Sequence, residues 1–518
     1  MTGYDKKYMK ILDCTLRDGG YYTNWDFDKN LVDTYITAMN DLPVDYLEVG
    51  YRSPKLSGYY GEYFYCPDFV LKKLAQVSNK KLVIILDEKN IDIETVEELL
   101  KPCLGIITMV RIAIDPEKLL RAIDLAKKVK SMGFELGFNV MYMSKWKNLP
   151  EFLSNLKHVD GVADYFYMVD SYGGVYPEDV KEIYALVRSQ MKTKIGFHGH
   201  NNLELGLINT LTAIECGADM VDATVTGMGR GAGNLKTELL LTALNQKNNL
   251  DVDFNALSSV TDAFTQLQKE YEWGTNLPYM VSGANSLPQK DVMDWVGKRY
   301  YSYNSIIRAL SNQSKGIQDN ETLNEYHPVE VFKKALIVGG GDSVREHIDA
   351  LKSYLVLNPE VVIIHSSSRN VSYLNDCENK QFHCLAGNEG HRLEKVFNSV
   401  PNNRVAILPP FPRTMGTYIP VNFKSSSFQL SEINITEKYK NSITALVLQL
   451  TKEMNVNELI FCGYDGYNGE ITQHKLELFN ENEYLFKNFS KNNYILKSVT
   501  PTKYKGLRQE SIYSELYK

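Results

Sequence analysis

The sequence contains no long apolar run. None of its runs approaches the roughly 18 consecutive apolar residues that a membrane-spanning helix requires. The N-terminal stretch from Met1 to Lys10 also lacks the apolar core of a signal peptide. We therefore expect a cytoplasmic protein without a membrane partner.

Neither sign of charge dominates, and cysteine is scarce. The 57 Lys and Arg residues face 63 Asp and Glu residues, and the net charge of -6 argues against a nucleic acid as the main partner. The seven cysteines show no repeating spacing, which excludes a disulfide framework or a zinc ribbon and indicates a reducing compartment. We expect Cys14, Cys103 and Cys216 to be packed thiols.

The chain does have length and a regular alternation. Its 518 residues exceed what one hydrophobic core usually holds, so two domains are expected. In the first part, short β-rich runs alternate with amphipathic stretches, a pattern typical of parallel βα units that close into a TIM (β/α)8 barrel. The predicted strands are Lys10 to Cys14, Tyr46 to Gly50, Leu82 to Asp87, Thr108 to Ala113, Glu135 to Met141, Tyr165 to Asp170, Lys194 to His198 and Met220 to Thr224.

The pattern changes after the predicted barrel, which we place at residues 1–250. Residues 251–311 are helical in pattern and predict an extension that covers the barrel mouth, and the polar stretch 312–329 predicts a linker. Residues 330–518 open with the apolar run Phe332 to Val338 and predict a smaller, Rossmann-like α/β domain.

The role of this second domain stays open. The turn from Gly339 to Ser343 would suit a phosphate at a helix N-terminus, as in a nucleotide- or sugar-binding domain, but it lacks the Walker lysine and the full dinucleotide fingerprint. A simple tight turn is the alternative. His365, His383 and His391 have no metal-ligand spacing, and we expect them to be ordinary histidines.

Chemistry-bearing residues follow two of the predicted strands. Arg17 and Asp18 come after the first strand, and the two glycines that follow them predict a tight turn. His198 and His200 end the seventh strand and, at i and i+2, point to the same face. With the Asp18 carboxylate they predict a divalent-metal site at the carboxyl ends of the strands, where barrels of this kind keep their chemistry.

A glycine-rich stretch adds a further candidate ligand. The glycines between Gly227 and Asn234 would let the chain fold back over the mouth, so that Asn234 can offer its amide oxygen to the metal. Other polar residues also end predicted strands, although Arg111 and Asn139 could equally fill a barrel layer. They are Glu48, Arg111, Asn139, Asp170, Ser171 and Asp222.

Three motifs, in this order, resemble the signatures of the DRE-TIM metallolyase superfamily, which includes 3-hydroxy-3-methylglutaryl-CoA lyase (HMGL), isopropylmalate synthase and 4-hydroxy-2-oxovalerate aldolase. They are Thr15 to Gly19, His198 to Leu203 and Gly227 to Asn234, and the resemblance extends over roughly residues 8–310. The segments Val44 to Val49 and Tyr167 to Gly174 look closest to the 4-hydroxy-2-oxovalerate aldolase family.

The resemblance implies roles for particular residues. Asp18, His198, His200 and Asn234 would bind Mn²⁺ or Mg²⁺, with Co²⁺ or Zn²⁺ as alternatives. A 2-oxo acid would chelate that cation, Arg17 would stabilise the enolate oxygen while Glu48 holds the guanidinium, and Ser171 would donate to the pyruvate carboxylate. Tyr279 lies in a segment that would shape the aldehyde pocket. No strand end presents a lysine for a Schiff base.

One position departs from the family pattern. The aldolases have a histidine three residues after the metal-binding aspartate, as the base on the substrate hydroxyl, and here that residue is Tyr21. A phenol titrates near pH ~10 and is a poor base at neutral pH. Tyr21, Tyr22 or Tyr279 relays the proton, or the substrate differs, and the aldehyde is therefore left open.

Three functions are considered. The first is a metal-dependent class II pyruvate aldolase that forms or cleaves a 4-hydroxy-2-oxo acid from a 2-oxo acid and an aldehyde, in surface-glycan sugar biosynthesis if the second domain handles nucleotide sugars. The second is a Claisen-type acyl-CoA condensing enzyme or lyase of the same superfamily, for which no basic patch at the mouth is evident from the sequence. The third is a non-catalytic barrel that serves as a scaffold for the second domain. A homodimer is left open.

Overall fold

The computed structural model divides into two compact units, Met1–Met293 and Asp294–Lys518. The boundary falls before the predicted linker at 312–329. Residues 1–8, and 318–320 within that linker, lie outside the described residues. The structure describes residues 9–298, 303–317, 321–387, 389–397, 399, 403–413, 418–467, 473–491 and 494–516.

The first unit is built on a closed barrel of eight parallel strands in chain order. The predicted barrel is confirmed, and each strand begins and ends within one residue of the bounds expected from the sequence. The strands are β1 Lys10–Asp13, β2 Tyr46–Tyr51, β3 Lys81–Asp87, β4 Met109–Ile114, β5 Glu135–Val140, β6 Tyr165–Asp170, β7 Lys194–Gly199 and β8 Met220–Ala223.

Amphipathic helices alternate with the strands as far as β8, and further helices follow it. In the sixth of them the apolar residues Leu119, Ala122, Ile123, Ala126 and Val129 recur at helical spacing and are buried. The helices are α1 Thr15–Thr23, α2 Lys29–Asp41, α3 Glu62–Tyr65, α4 Asp68–Val77, α5 Val96–Leu100, α6 Leu119–Ser131, α7 Pro150–Asn155, α8 Pro177–Gln190, α9 Gly206–Cys216, α10 Thr237–Asn248, α11 Phe254–Tyr271, α12 Leu277–Ala284 and α13 Gln289–Lys298.

The tight turn predicted after β1 is wrong, because α1 begins at Thr15 and contains Arg17, Asp18 and both glycines. The glycines allow close packing instead. A Cβ on Gly19 would lie 2.5 Å from Met228 Sδ, and one on Gly20 would lie 2.1 Å from Trp25 Cδ1. The helix can therefore approach its neighbours only with glycine at these positions.

The start of α1 is fixed by the buried carboxylate of Asp13. It accepts hydrogen bonds from Thr15 N at 2.9 Å and from the hydroxyl groups of Thr15, Tyr35 and Thr237, each at 2.6 Å. Burial nevertheless raises the pKa of Asp13, and these donors oppose the rise. Asp13 thus connects β1, α2 and α10 at the point where Arg17 and Asp18 leave the strand.

The interior of the barrel is filled. Its central cluster consists of buried side chains, so the barrel is a packed core with a polar mouth and not a pore. The cluster is Leu12, Cys14, Tyr46, Val83, Met109, Tyr165, Tyr167, Val169 and Met220.

The predicted helical extension divides into parts with different neighbours. Helix α11 packs on α2, at the wall of the barrel. Helix α12 lies against loops at the mouth, because a Cβ on Gly174 would meet Gly283 O at 2.2 Å and the ring of Tyr279 lies beside Gly231. The last helical stretch, Tyr303–Ser314, belongs to the second unit.

The second unit contains an eight-stranded parallel sheet in the order β13-β12-β11-β10-β9-β14-β15-β16, which confirms the predicted additional α/β domain. No helix within the described part of the chain is long and apolar enough to cross a membrane. The strands are β9 Lys334–Val338, β10 Val362–His365, β11 Gln381–Cys384, β12 Arg404–Leu408, β13 Ser427–Gln429, β14 Glu458–Cys462, β15 Ile495–Ser498 and β16 Arg508–Gln509; the helices are α14 Tyr303–Ser314, α15 Ser343–Glu346, α16 Ile348–Leu357, α17 Glu389–Val396, α18 Ile443–Glu453 and α19 Gln473–Ser490.

Candidate metal centre and active site

Three possible metal ligands converge at the carboxyl end of the barrel. The ligand atoms of Cys14, Asp18 and His198 all lie within 4.8 Å of one another, and all three side chains are buried. His198 Nε2 lies 3.7 Å from Asp18 Oδ2. His200 lies outside this tightest group, but its ring centre is 5.0 Å from that of His198.

Each histidine has one ring nitrogen held by a neighbour. His198 Nδ1 lies 2.9 Å from Asp222 Oδ2, and His200 Nδ1 donates to the carbonyl oxygen of Asp170 at 2.7 Å. These bonds fix the ring orientation and leave Nε2 of each imidazole as the nitrogen for a ligand.

The glycine-rich stretch folds back over the end of β7, as its composition predicts. Asn201 N donates to Gly233 O at 2.9 Å, and Asn234 N donates to Gly227 O at 3.0 Å. Gly233 has φ 79°, and a Cβ there would lie 2.1 Å from Gly227 O, so the fold of this loop requires glycine at that position.

Asn234 is brought to the ligand group by this loop. Its Nδ2 donates to Asp18 Oδ2 at 2.6 Å. Its Oδ1 is buried and has no hydrogen-bond partner among the described residues. A buried amide oxygen without a donor is costly, and a cation would satisfy it.

A network of buried ion pairs lies below the ligands. Arg17 forms an ion pair with Asp18, and its Nε donates to Glu48 Oε2 at 2.6 Å. Arg111 Nη2 pairs with Asp222 Oδ2 at 2.6 Å, and its Nε lies 3.5 Å from Glu48 Oε1. Arg111 Nε also donates to Asn139 Oδ1 at 2.6 Å. Arg111 and Asn139, which could have been layer-filling residues, thus hold the groups that orient His198 and Arg17.

These surroundings set the protonation of the ligands. Burial opposes ionisation of Asp18, but Arg17 and the two nearby histidines outweigh it and hold the pKa of that carboxyl below its ordinary value. Desolvation, together with the adjacent His198, lowers the pKa of His200 to about 3. An ionised carboxylate and a neutral imidazole are the forms that bind metals.

The residues present fit a divalent cation. One carboxylate, imidazole nitrogens with fixed orientation and an amide oxygen without a donor form a mixed oxygen and nitrogen donor set.

Tyrosines surround the opening. Tyr21 Oη lies 3.0 Å from Tyr51 Oη, and Tyr22 Oη donates to Gly231 O at 3.1 Å. Burial raises the pKa of Tyr22, and the neighbouring Tyr279 adds to the rise. Ser171 Oγ accepts a hydrogen bond from Tyr142 N at 2.9 Å. Tyr142 has φ 62°, a left-handed conformation that is uncommon for a tyrosine and is often associated with functional sites.

The structure brings most of the predicted site residues together. Direct contacts join one group; Ser171 Oγ instead accepts from Tyr142 N, and Tyr279 O accepts from Asn202 Nδ2. Sequence reasoning did not assign a role to Cys14, Asp222, Tyr51 or Arg230. Of these four, only Asp222 could have been identified from the sequence, because it is a carboxylate at the end of a buried strand. The predicted site residues that direct contacts join into one group are Arg17, Asp18, Glu48, His198, His200 and Asn234.

A closed parallel barrel with a carboxylate, two imidazoles and a guanidinium at its carboxyl face is the arrangement that the sequence predicts for a metallolyase barrel. A family model described as HMGL-like matches residues 100–264. The chain is 32% identical over 246 residues to a 4-hydroxy-2-oxovalerate aldolase of Thermomicrobium roseum, covering 46% of this chain and 67% of the relative. It is 28% identical over 250 residues to an oxaloacetate decarboxylase of Mycobacterium tuberculosis, covering 46% and 71%.

Among solved structures, the chain is similar to the N-terminal domain of a Bacteroides vulgatus protein provisionally described as an aldolase. The identity is 60% and the TM-score 0.56, with 58% of this chain and 100% of that domain covered. The chain belongs to the HMGL-like family of the DRE-TIM superfamily, and its barrel is that of a lyase similar to the 4-hydroxy-2-oxovalerate aldolases.

Proposed function

We propose that the first unit is a divalent-metal-dependent class II pyruvate aldolase, which forms or cleaves a 4-hydroxy-2-oxo acid from pyruvate and an aldehyde. The observation that carries the proposal is the convergence of Asp18, His198 and Asn234 beside the Arg17–Glu48 ion pair. This arrangement combines a cation site with a fixed positive charge, which is what a developing enolate needs.

Asp18, His198, His200 and Asn234 would hold the cation, Mn²⁺ or Mg²⁺ first and Co²⁺ or Zn²⁺ as alternatives. When bound, it supplies Lewis-acid polarisation of a substrate keto oxygen. Arg17 stays charged at any working pH and can donate to the same oxygen. Glu48 and Asp18 fix the guanidinium, so little reorganisation is needed during the reaction. Ser171 would donate to the pyruvate carboxylate.

The tyrosine pair is the proposed route for the substrate proton. Tyr21 Oη and Tyr51 Oη share a hydrogen bond, so a proton taken up at one oxygen can be passed to the other. Burial raises the pKa of the Tyr51 phenol as well as that of Tyr22, so the Tyr21–Tyr51 pair is favoured by its shared hydrogen bond and not by its acidity, whereas Tyr22 Oη donates to Gly231 O. Tyr279 contacts the glycine-rich loop and would shape the aldehyde pocket.

The test is metal-dependent exchange of the pyruvate methyl protons with deuterium, followed by mass spectrometry. Wild-type protein loaded with Mn²⁺ should exchange them, and chelated protein should not. Asp18→Asn and His198→Gln should abolish the exchange, whereas His158→Gln, at an exposed histidine of the same unit, should leave it unchanged. Absence of exchange in folded, metal-loaded protein would contradict the aldolase proposal.

The same samples distinguish the two other functions. An acyl-CoA condensing enzyme or lyase would release free CoA thiol or consume a thioester, which a thiol reagent detects. A non-catalytic scaffold would do neither. The buried ion pairs of Arg17 and Arg111 argue against the scaffold function. Buried charges cost stability, and a chain without catalytic activity would have no reason to keep them.

For the second unit, the contacts favour a structural turn between Gly339 and Ser343. Gly341 N donates to Gly463 O at 2.8 Å, and Ser343 N donates to Asp465 Oδ2 at 3.0 Å. A carboxylate therefore already caps the helix start that a phosphate would use. The role in surface-glycan sugar biosynthesis stays a prediction.

A further inference from the structure

Arg230, in the glycine-rich loop at the mouth, takes no part in the mechanism above. It is partly buried, and its guanidinium lies over the ring of Tyr21, 4.0 Å from the ring centre. Among the described residues no carboxylate forms an ion pair with this guanidinium, although Tyr21 first, and then Tyr51 and Asp18, raise the pKa of Arg230. A partly desolvated cation without a directly paired counter-ion is unfavourable, and sites that bind anionic ligands tolerate that cost.

The nearby carboxylates are already engaged. Arg17 pairs with Asp18 and Glu48, and Arg111 pairs with Asp222. Asp18 is the carboxylate that acts on Arg230, and because it is already paired with Arg17 it neutralises Arg230 only in part. The Tyr21 ring covers one face of the guanidinium of Arg230. The N–H groups at the edge of the guanidinium remain available to a ligand. Such an edge binds carboxylates and phosphates through two parallel hydrogen bonds.

The barrel topology separates Arg230 from the predicted pyruvate carboxylate contact. Arg230 follows β8, Tyr21 follows β1 and Tyr51 ends β2, and these three strands are neighbours in the barrel. Ser171 follows β6, on the other side of β7 and its histidines. An anion at Arg230 would therefore belong to the second substrate, next to the tyrosines that handle its oxygen.

We propose that Arg230 binds an anionic group on the acceptor, so that the natural aldehyde carries a carboxylate or a phosphate. This inference rests on the proposed aldolase function. The reaction joins pyruvate C3 to the aldehyde carbon; the methyl proton goes to a base on the protein, and the new alkoxide takes up a proton to become the 4-hydroxyl group. Atoms and electrons balance without a further reactant.

The test compares matched aldehydes. Succinic semialdehyde is paired with butanal, and glycolaldehyde phosphate with glycolaldehyde, so that the two pairs distinguish a carboxylate from a phosphate. Wild-type protein should prefer one anionic acceptor over its neutral partner in kcat/KM. In Arg230→Gln that preference should fall about 10- to 100-fold, the value of a charge-assisted hydrogen bond, and Arg230→Lys should keep part of it.

Lys145 offers a matched control. It is an exposed cation at the same mouth, with its Nζ 4.9 Å from the centre of the Tyr172 ring. Lys145→Gln should leave the preference for the anionic aldehyde in place. An equal loss in both variants would mean that a diffuse positive field attracts the acceptor, and it would overturn the assignment to Arg230.

Deuterium exchange of the pyruvate methyl protons, measured first in wild-type protein, shows which of the two proposals fails. No exchange there refutes the aldolase function, and with it the acceptor site. If wild-type protein exchanges pyruvate protons but shows no preference for either anionic aldehyde, only the acceptor site is refuted. Arg230→Gln could instead slow pyruvate exchange and, to the same extent, the reactions with both aldehydes of a pair. Arg230 would then serve pyruvate binding or the fold, and the acceptor site would be refuted.

Discussion

At the scale of single residues, the site depends on side chains that touch the proposed ligands and not the substrate. Asp222 is the clearest case, since its Oδ2 lies 2.9 Å from His198 Nδ1 and 2.6 Å from Arg111 Nη2. A carboxylate in this position orients the imidazole and increases its basicity towards a cation. The position of His198 is thereby fixed before any metal binds.

Asp222→Asn should weaken metal binding by about 10- to 100-fold, because an amide supports the imidazole less well and loses its ion pair with Arg111. Isothermal titration with Mn²⁺ measures the effect. Asp164→Asn, which removes a carboxylate at the start of β6, is the control and should leave the affinity unchanged. An unchanged affinity in folded Asp222→Asn would show that His198 does not depend on this contact.

At the scale of elements, α1 shows how packing decides what glycine does. Glycine to alanine in a helix usually stabilises a protein by about 0.5–1 kcal/mol. Gly20 lies against the buried ring of Trp25, whose Nε1 donates to Arg17 O at 2.9 Å. An added methyl group would displace that ring and the residue that pairs with Glu48.

Gly20→Ala should therefore destabilise the first unit by roughly 1–3 kcal/mol and weaken metal binding. Urea unfolding followed by tryptophan fluorescence measures this change, since three of the four tryptophans lie in that unit. Gly297→Ala, in the second unit, is the control: an added methyl there meets nothing within 4 Å, and the stability of the first unit should be unchanged. Stabilisation by Gly20→Ala would mean that α1 is not packed as described.

The sequence predicted those elements whose signal is local. The strands of the barrel are largely apolar runs, and their bounds could be assigned within one residue. Helix α1 was missed because its glycines resemble a turn, and their packing partners are Trp25 and the distant Met228. In the second unit the sequence pattern indicates strands near β9, β10, β12 and β14 only. It does not indicate β11, Gln381–Cys384, because that strand buries polar Gln381 and His383, whose burial depends on the neighbouring strands.

The candidate site likewise contains residues that the sequence predicted and a contact that it could not predict. Asp18, His198 and Asn234 could be found because they lie in short motifs with a chemical reason for their spacing. The contact of Arg230 with Tyr21 could not, because it depends on a loop that folds back across the mouth from more than two hundred residues away. Contacts between distant segments are decided by the whole fold.

At the scale of the whole molecule, each unit buries a different set of polar groups, so each should respond differently to pH. In the second unit the rings of His365 and His383 stack at 4.6 Å, and both side chains are 1% exposed. His365 Nε2 lies 2.8 Å from Gln381 Oε1, and Arg404 Nη1 donates to His383 Nε2 at 3.1 Å. Burial lowers the pKa of His365 to about 3, and burial together with His365 and Arg404 lowers the pKa of His383 well below its ordinary value.

This arrangement predicts an acid-sensitive second unit. In the unfolded chain a histidine titrates near pH ~6.5, so between that pH and about 3 the unfolded state binds a proton that folded His365 does not. His365 leaves stability unchanged above this window, and within it stability falls with decreasing pH by about 1.4 kcal/mol per pH unit for each such histidine. Amide hydrogen exchange of the peptide that contains β10, corrected for the intrinsic effect of pH, should show protection decreasing from pH 7 to pH 5.

His365→Gln cannot take up the proton and should reduce that pH dependence, whereas His327→Gln, at an exposed position, should not. Equal pH dependence in all three proteins would mean that His365 accepts a proton in the folded state.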